Sequence, residues 1–83
     1  MKILYFAWVR EKVGLSGEDV SPDIPVDTVT DLVEWLKTRG DNYARAFADP
    51  ALVRVAVNQD YVDPDAAVGQ NDEVAFFPPV TGG

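Results

Sequence analysis

An almost unbroken apolar run, KILYFAWV at residues 2–9, restricts the possible folds of this 83-residue chain more than any other segment. A run of aromatic, aliphatic and β-branched residues of this length is typical of a strand that is buried on both faces. Such a strand lies in the interior of a sheet, so further strands must flank it. Alternation along the strand predicts one face with Ile3, Tyr5, Ala7 and Val9, and an opposite face with Leu4, Phe6 and Trp8.

An amphipathic helix is the second clear element. Asp27 or Thr28 can cap its N-terminus, and Asp31 completes an approximate capping box with Thr28. Gly40 is placed to end the helix as a C-cap. Four apolar residues at helical spacing predict the face that packs on the core: Val29, Leu32, Val33 and Leu36.

Three more segments predict strands, and short connectors link them. The weak segment at residues 18–24 contains Pro22 and several charges, which are typical of a sheet edge. The segments at 52–58 and 72–77 are more apolar, and the last is apolar enough for the centre of a sheet. The remaining predicted elements are a polar hairpin connector at 10–17, a short helical turn at 42–49, a turn at 58–60 and an edge pairing at 61–62.

This order of elements predicts an α+β fold. A single main helix would cross one face of a mixed sheet of four or five strands, with the first and last strands side by side in the middle. This is the β-grasp arrangement of ubiquitin-like proteins. The predicted domain comprises residues 1–77, and residues 78–83 form an extended tail that ends in a flexible Gly-Gly pair.

The composition excludes several kinds of chemistry. The chain has no Cys and no His, which excludes disulfides, Cys/His metal sites and Ser-His or Cys-His nucleophile pairs. The formal net charge of −7 argues against nucleic acid as a partner and suits a partner protein with a basic face, although acidity also keeps small proteins soluble.

No apolar run approaches the roughly 20 residues of a membrane span. Because the chain has no Cys and no sign of a signal peptide, we expect it to be cytoplasmic.

The C-terminal segment AFFPPVTGG is the candidate functional element. Pro78 and Pro79 end the last strand and direct the chain outward, because proline fixes φ and cannot donate to a ladder. Fully extended, residues 78–83 reach about 20 Å, which is enough to enter a pocket of another protein. Gly82 and Gly83 have no Cβ atom and fit a narrow channel. The alternative interpretation is a frayed chain end.

Three segments carry a family resemblance. DEVAFFPPVTGG at residues 72–83 resembles the C-terminal signature of the small, sulfur-carrier subunits of molybdopterin synthase. YFAWVRE at residues 5–11 and VAVNQDYV at residues 55–62 resemble the first strand and the third-strand turn of that family. The length and the order of elements fit the family over the whole chain.

The resemblance implies a sulfur-transfer function for the C-terminus. An E1-like adenylyltransferase would activate the carboxylate of Gly83, next to Gly82, with ATP, and the acyl-adenylate would become a thiocarboxylate. The tail would then enter the large subunit of molybdopterin synthase, in a heterotetramer of two small and two large subunits, and donate sulfur to cyclic pyranopterin monophosphate. The chain itself would bind no cofactor and no metal, and it would be active only with the large subunit.

A docking surface is expected where aromatic residues leave the core. Phe6 and Phe77 are out of phase with the expected core positions of their strands. The resemblance adds tail positions, so the expected interface comprises Phe6, Tyr61, Phe77, Pro78, Pro79, Val80 and Thr81. Alternatively, the three aromatic residues belong to a minor core and not to an interface. Trp8 is on the same predicted face as Phe6, and it either joins the interface or covers a loop.

Three other functions stay open at the level of sequence. A thiamine-type sulfur carrier and a ubiquitin-like protein modifier share the fold and the terminal Gly-Gly, and a plain interaction module shares the fold alone. The aromatic-diproline segment FFPPVTGG favours the molybdopterin carrier.

Overall fold

A computed structural model describes residues 1–79 and builds them around a mixed sheet of five strands. The strands are β1 (Lys2–Tyr5), β2 (Gly17–Asp19), β3 (Arg54–Val57), β4 (Asp60–Val62) and β5 (Glu73–Phe77). The helices are α1 (Ala7–Val13), α2 (Val29–Lys37) and α3 (Asp41–Ala46), with a 3₁₀ turn at Pro50–Leu52.

The strand order across the sheet is β2-β1-β5-β3-β4. The first and last strands pair in parallel in the interior of the sheet, and the other pairs are antiparallel. β2 and β4 lie at the edges of the sheet, as predicted, but β2 ends at Asp19, so the prediction of a strand through residue 24 is wrong. The predicted β-grasp fold is therefore confirmed. The division into a domain of residues 1–77 and a tail of residues 78–83 stays a prediction.

The first strand is shorter than predicted. β1 ends at Tyr5, and the backbone of Ala7 turns through the left-handed region with φ 53°. Helix α1 then places Val9 and Val13, which are four residues apart, in the core. The composition of a short apolar run does not distinguish a buried strand from a helix. Here Val9 and Val13 lie about one helical turn apart, and this spacing matches the helix.

Three residues that were predicted to continue this strand lie on α1 instead: Ala7, Trp8 and Val9. Ala7 is exposed on α1, so the prediction that it faces the core from a strand is wrong. Trp8 also lies on α1, where it packs at the margin of the core and Lys12 Nζ lies 5.7 Å from its ring centroid. The predicted connector at 10–17 is mostly the second half of this helix and its left-handed C-cap, Gly14.

Helix α2 begins as predicted and ends earlier. Thr28 Oγ1 accepts a hydrogen bond from the Asp31 N–H, and Asp31 Oδ2 accepts one from the Thr28 N–H, both at 3.2 Å. This confirms the capping box. The C-cap is Thr38, whose hydroxyl donates to the Trp35 carbonyl at 2.6 Å. Gly40 instead precedes α3 as its N-cap, so its predicted role as the C-cap of α2 is wrong.

The core lies between the helices and one face of the sheet, which we call the core face. Alternate residues of the three inner strands point into it: Ile3, Tyr5, Val55, Val74 and Phe76. The helical side supplies the predicted face of α2 together with α1 and α3, and buries Val9, Val29, Leu32, Leu36 and Phe47. The prediction that Tyr43 and Phe47 pack inward from a short second helix is confirmed.

Candidate docking surface

The face of the sheet opposite the core, which we call the open face, carries three rows of side chains across the strands. Strand register places charged residues in the first row, small or apolar residues in the second, and aromatic residues with one arginine in the third. The first row is Asp19, Lys2 and Glu73. The second is Leu4, Ala75, Ala56 and Tyr61. The third is Phe6, Phe77 and Arg54, and it lies at the end of the sheet from which the C-terminal segment leaves.

Phe6 reaches the third row because it extends β1 by one residue before α1 begins. Its backbone is extended (φ −126°, ψ 153°), and its N–H donates to the Phe76 carbonyl at 3.0 Å. Since Tyr5 is opposite Phe76 and points into the core, the next residue points to the open face. The Phe6 side chain is 46% exposed, which agrees with the predicted phase.

Phe77 and Tyr61 form the other aromatic part of this surface. Their ring centroids lie 5.4 Å apart, and the planes are tilted by 40°. Phe77 is half-buried, whereas Tyr61 is 78% exposed and is the most exposed large apolar side chain among the described residues. The structure therefore brings together the three aromatic residues that the sequence singled out, and none of them belongs to the core cluster.

The second row makes a shallow floor beside these rings. Ala56 is buried between Ala75 and Tyr61 although it does not face the core. Small side chains at these positions leave the sheet backbone close to the surface, so a partner could approach closely and contact the rings beside it.

The root of the tail adjoins the third row. Pro78 and Pro79 follow Phe77 directly and are half-buried. Neither can donate a backbone hydrogen bond, and β5 ends before them as predicted. The predicted functional residues Val80, Thr81, Gly82 and Gly83 lie outside the described residues.

Arg54 is a member of this surface that the sequence analysis did not name. It lies directly opposite Phe77 in the β3–β5 register. A cleft of about 310 Å³ beside it is lined by Arg54, Val55, Tyr61, Val62, Asp63 and Phe77. The signal was present in the alternation of Val53, Val55 and Val57, which implies that Arg54 points the other way.

A polar cluster on the core face was also missed. Glu18 on β2 accepts hydrogen bonds from the hydroxyls of Tyr5 and Tyr43 at 2.8 and 2.7 Å, and from Arg39 Nη1 at 2.8 Å. Arg39 in turn lies over the rings of Trp35 and Tyr43, at 5.1 and 5.0 Å from their centroids. The cluster ties the edge strand β2 to the region of α2 and α3, and no local sequence pattern connects residues so far apart.

The cluster shifts the pKa values of its members. Burial by itself would raise the pKa of Glu18, but the hydrogen bonds from Tyr43, Arg39 and Tyr5 outweigh it and hold the pKa below its ordinary value. Burial, reinforced by the bond to Glu18, raises the pKa of both tyrosines. Glu18 therefore stays ionised and accepts hydrogen bonds, and Tyr5 and Tyr43 stay protonated and donate them. The cluster is a structural tie and not an acid–base pair.

One further concave feature lies away from the docking surface. An apolar groove of about 280 Å³ runs between α2 and β3 on the helical side, and no predicted site residue lines it. Within residues 1–79 there is no cluster of three His, Cys, Asp or Glu side chains that could hold a metal ion. Over the same residues, no helix combines the length and apolarity that crossing a membrane requires.

Comparison with known proteins places this chain in a family. Residues 3–83 match the family model described as the ThiS family. The molybdopterin synthase sulfur carrier subunit of Escherichia coli (strain K12) is 46% identical over 83 residues, which cover 100% of this chain and 99% of the relative. The subunit of the same name from Haemophilus influenzae is 39% identical, with the same coverage.

Solved structures agree with the fold. The crystal structure of SAMP1 from Haloferax volcanii, with 30% identity, superposes with a TM-score of 0.75 and covers 100% of this chain and 98% of that one. These matches confirm the resemblance found in the three sequence segments. Because residues 3–83 match this family model, and because relatives of almost equal length agree, the chain belongs to the ThiS family.

Proposed function

We propose that this protein is the sulfur carrier of molybdopterin synthesis. The observation that carries the proposal is the 46% identity, over the full length of both chains, to a subunit with that name. The geometry of the open face supports it, because an exposed aromatic row lies beside the point where the C-terminal segment leaves the sheet.

The sulfur is carried on the carboxyl group of Gly83, with Gly82 before it. In the first step the carboxylate attacks the α-phosphorus of ATP, pyrophosphate leaves, and an acyl-adenylate forms. A sulfur donor at the oxidation level of sulfide then displaces AMP, so one C–S bond replaces one C–O bond. The thiocarboxylate sulfur finally attacks a side-chain carbon of the cyclic pyranopterin monophosphate and displaces an oxygen substituent, so a C–S bond replaces a C–O bond there. Water then cleaves the acyl C–S bond and restores the carboxylate, and a second carrier supplies the second sulfur of the dithiolene.

The other components belong to partner proteins. ATP is used by an E1-like adenylyltransferase, and the pterin is held by the large subunit in a heterotetramer of two small and two large subunits. Because this chain has a net charge of −7, the cationic groups that bind these anionic ligands come from the partners. The chain binds no cofactor, is not a catalyst on its own, and works in the cytoplasm.

Docking uses the open face. The aromatic residues Phe6, Tyr61 and Phe77 form the contact, and Pro78, Pro79, Val80 and Thr81 lead the chain into the pocket. Desolvated aromatic side chains commonly dominate the binding energy of protein interfaces. A fixed sheet surface with a tethered reactive group also presents the sulfur at high effective concentration.

A protein modifier is the second candidate function. The observation that favours it is the likeness to the small archaeal modifier protein 1 of H. volcanii, with 29% identity and a TM-score of 0.75. In that case Gly83 forms amide bonds with lysines of other proteins. A thiamine-type sulfur carrier is the third candidate.

Intact mass spectrometry tests the proposal. The protein is incubated with ATP, the adenylyltransferase and a sulfide source, with a variant lacking Gly83 as the control. We expect a mass increase equal to the exchange of one oxygen for one sulfur, absent from the control. Adding the large subunit and the pyranopterin should then return the original mass and yield the dithiolene product.

Two results would contradict the proposal. A ladder of larger adducts on lysine-containing proteins, without any sulfur exchange, would favour the modifier. Sulfur exchange that is consumed by a thiazole-forming enzyme, and not by the large subunit, would favour the thiamine-type carrier.

A further inference from the structure

Arg54 is the only basic side chain in the second and third rows of the open face. Its neighbours across the strands are Phe77 and, by continuation of the β3–β4 register, Asp63. The other lysine or arginine on this face, Lys2, lies in the first row between Asp19 and Glu73. Arg54 is thus a single cation within an aromatic surface of an acidic protein.

The guanidinium of Arg54 has no ionic partner among the described residues. The ion pairs within residues 1–79 are Lys37–Glu34 and Arg39–Glu18. Asp63 lines the same cleft as Arg54 but does not form an ion pair with it. In the free protein the unpaired guanidinium is not unfavourable, because Arg54 is exposed and water solvates its charge.

Docking of a partner on the open face changes the solvation of Arg54. A partner that covers the rings of Tyr61 and Phe77 also covers the cleft between them and Arg54, so water leaves the guanidinium. Desolvating a charge without a partner is strongly unfavourable, whereas a carboxylate that meets the guanidinium with two parallel hydrogen bonds offsets that cost. An acidic side chain of the partner in this cleft would offset the cost of desolvating Arg54.

We propose that Arg54 is a specificity-determining residue of the docking surface, and that it pairs with an Asp or Glu of the large subunit that enters the cleft beside Tyr61 and Phe77. The inference rests on the proposed function, since it takes the large subunit as the partner. It adds a charge requirement to an otherwise apolar contact: a protein that offers an apolar or basic side chain at this point is rejected.

Binding to the purified large subunit of the same organism tests the pair. Arg54→Met removes the charge and keeps the apolar stem, and Arg45→Met on α3 is the control with the same change in net charge away from the open face. Because Arg54→Met leaves a desolvated carboxylate unpaired, we expect its affinity to fall about 30-fold or more relative to Arg45→Met. Its affinity should also depend less on salt, since one short-range charge pair is lost.

Two further variants test whether Arg54 pairs with a carboxylate of the partner or with Asp63. Arg54→Lys keeps the charge and should restore part of the affinity. Asp63→Asn should bind the large subunit at least as tightly as the wild type, because Asp63 repels an incoming carboxylate. In the Arg54→Lys complex, a carbodiimide should form an amide between residue 54 and the partner's acidic residue, identified by peptide mass spectrometry.

The results that overturn the inference differ from those that overturn the proposed function. If Arg54→Met binds less than about 30-fold more weakly than Arg45→Met, or if Asp63→Asn binds more weakly than the wild type, Arg54 has no partner carboxylate and the inference is wrong. The wild-type protein would still bind the large subunit and still exchange oxygen for sulfur at Gly83. If the wild-type protein does neither, the proposed function is wrong and the inference falls with it.

Discussion

At the scale of the single residue, Glu18 shows how one carboxylate joins three parts of the fold. Its side chain is 13% exposed and accepts hydrogen bonds from two tyrosine hydroxyls and one guanidinium. The pair Lys37–Glu34 has the same charges, but its carboxylate is 67% exposed. The two carboxylates therefore form a natural comparison of a networked and an isolated charge.

Glu18→Gln should lower the free energy of unfolding by about 1–3 kcal/mol, because the amide leaves Arg39 without a counter-charge and cannot accept all three bonds. Glu34→Gln should lower it by less than about 0.5 kcal/mol, since an exposed ion pair contributes little. Urea denaturation of both variants measures the difference. Equal losses in the free energy of unfolding for the two variants would show that the hydrogen bonds to Glu18 stabilise the fold no more than the isolated ion pair does.

The same carboxylate predicts a dependence on pH. Folding lowers the pKa of Glu18, so its contribution to stability is complete above its unfolded pKa of about 4.3 and is lost as the pH falls through the lower folded pKa. The stability difference between wild type and Glu18→Gln should therefore shrink from about pH 6 to pH 3. Urea titrations across this range measure it, and a constant difference would contradict the lowered pKa.

At the scale of the element, the junction between β1 and α1 decides which side chains reach the docking surface. Phe6 completes the strand and points to the open face, and Val9 begins the buried side of the helix. The change of direction is concentrated at Ala7, one of three described non-glycine residues with positive φ. A left-handed backbone costs a non-glycine residue about 1 kcal/mol or more.

Substitutions at Ala7 should report that strain. Ala7→Gly should change stability by less than about 0.5 kcal/mol, because relief of the strain offsets the added entropy of the unfolded chain. Ala7→Val should cost about 2 kcal/mol or more, since a β-branched residue tolerates positive φ poorly. Ala44→Val in α3 is the control at a half-buried residue without positive φ, where helix propensity contributes about 0.5 kcal/mol to the cost. Equal costs for the two valine variants, measured by urea denaturation, would contradict strain at Ala7.

At the scale of the whole molecule, the sheet separates stability from recognition. Adjacent residues of β5 point to opposite faces: Phe76 is 1% exposed in the core, and Phe77 lies on the open face. The helices cover the core face, and the open face is the one that we propose for docking. The two functions of the sheet can therefore be changed independently.

Phe77→Ala should weaken binding to the large subunit by tenfold or more while it lowers the free energy of unfolding by less than about 1 kcal/mol. Phe76→Leu should do the reverse, with a stability loss of about 1 kcal/mol or more and little effect on affinity. Calorimetric titration and urea denaturation of both variants check this. A Phe77 variant that loses stability without losing affinity would place Phe77 in a minor core.

Local patterns in the chain were sufficient for several elements and for part of the docking surface. The spacing of Val29, Leu32 and Leu36, with the Thr28–Asp31 pair, specified α2 and its first turn. The alternation around Phe76 specified which face of β5 is buried, and so placed Phe77 correctly. These properties depend on neighbours within one or two turns or strand repeats, so they can be read from the order of the residues.

Contacts between distant segments were beyond such patterns. Glu18 meets Tyr5, Arg39 and Tyr43 because the edge strand packs beside α2 and α3, and Arg54 lies opposite Phe77 because β5 inserts between β1 and β3. The end of β1 at Tyr5 was likewise set by how Val9 and Val13 fill the core. Periodicity along the chain therefore determines which side of an element is apolar. The neighbour that covers that side, and the point at which the chain turns to reach it, follow from closing the core around residues far apart in sequence.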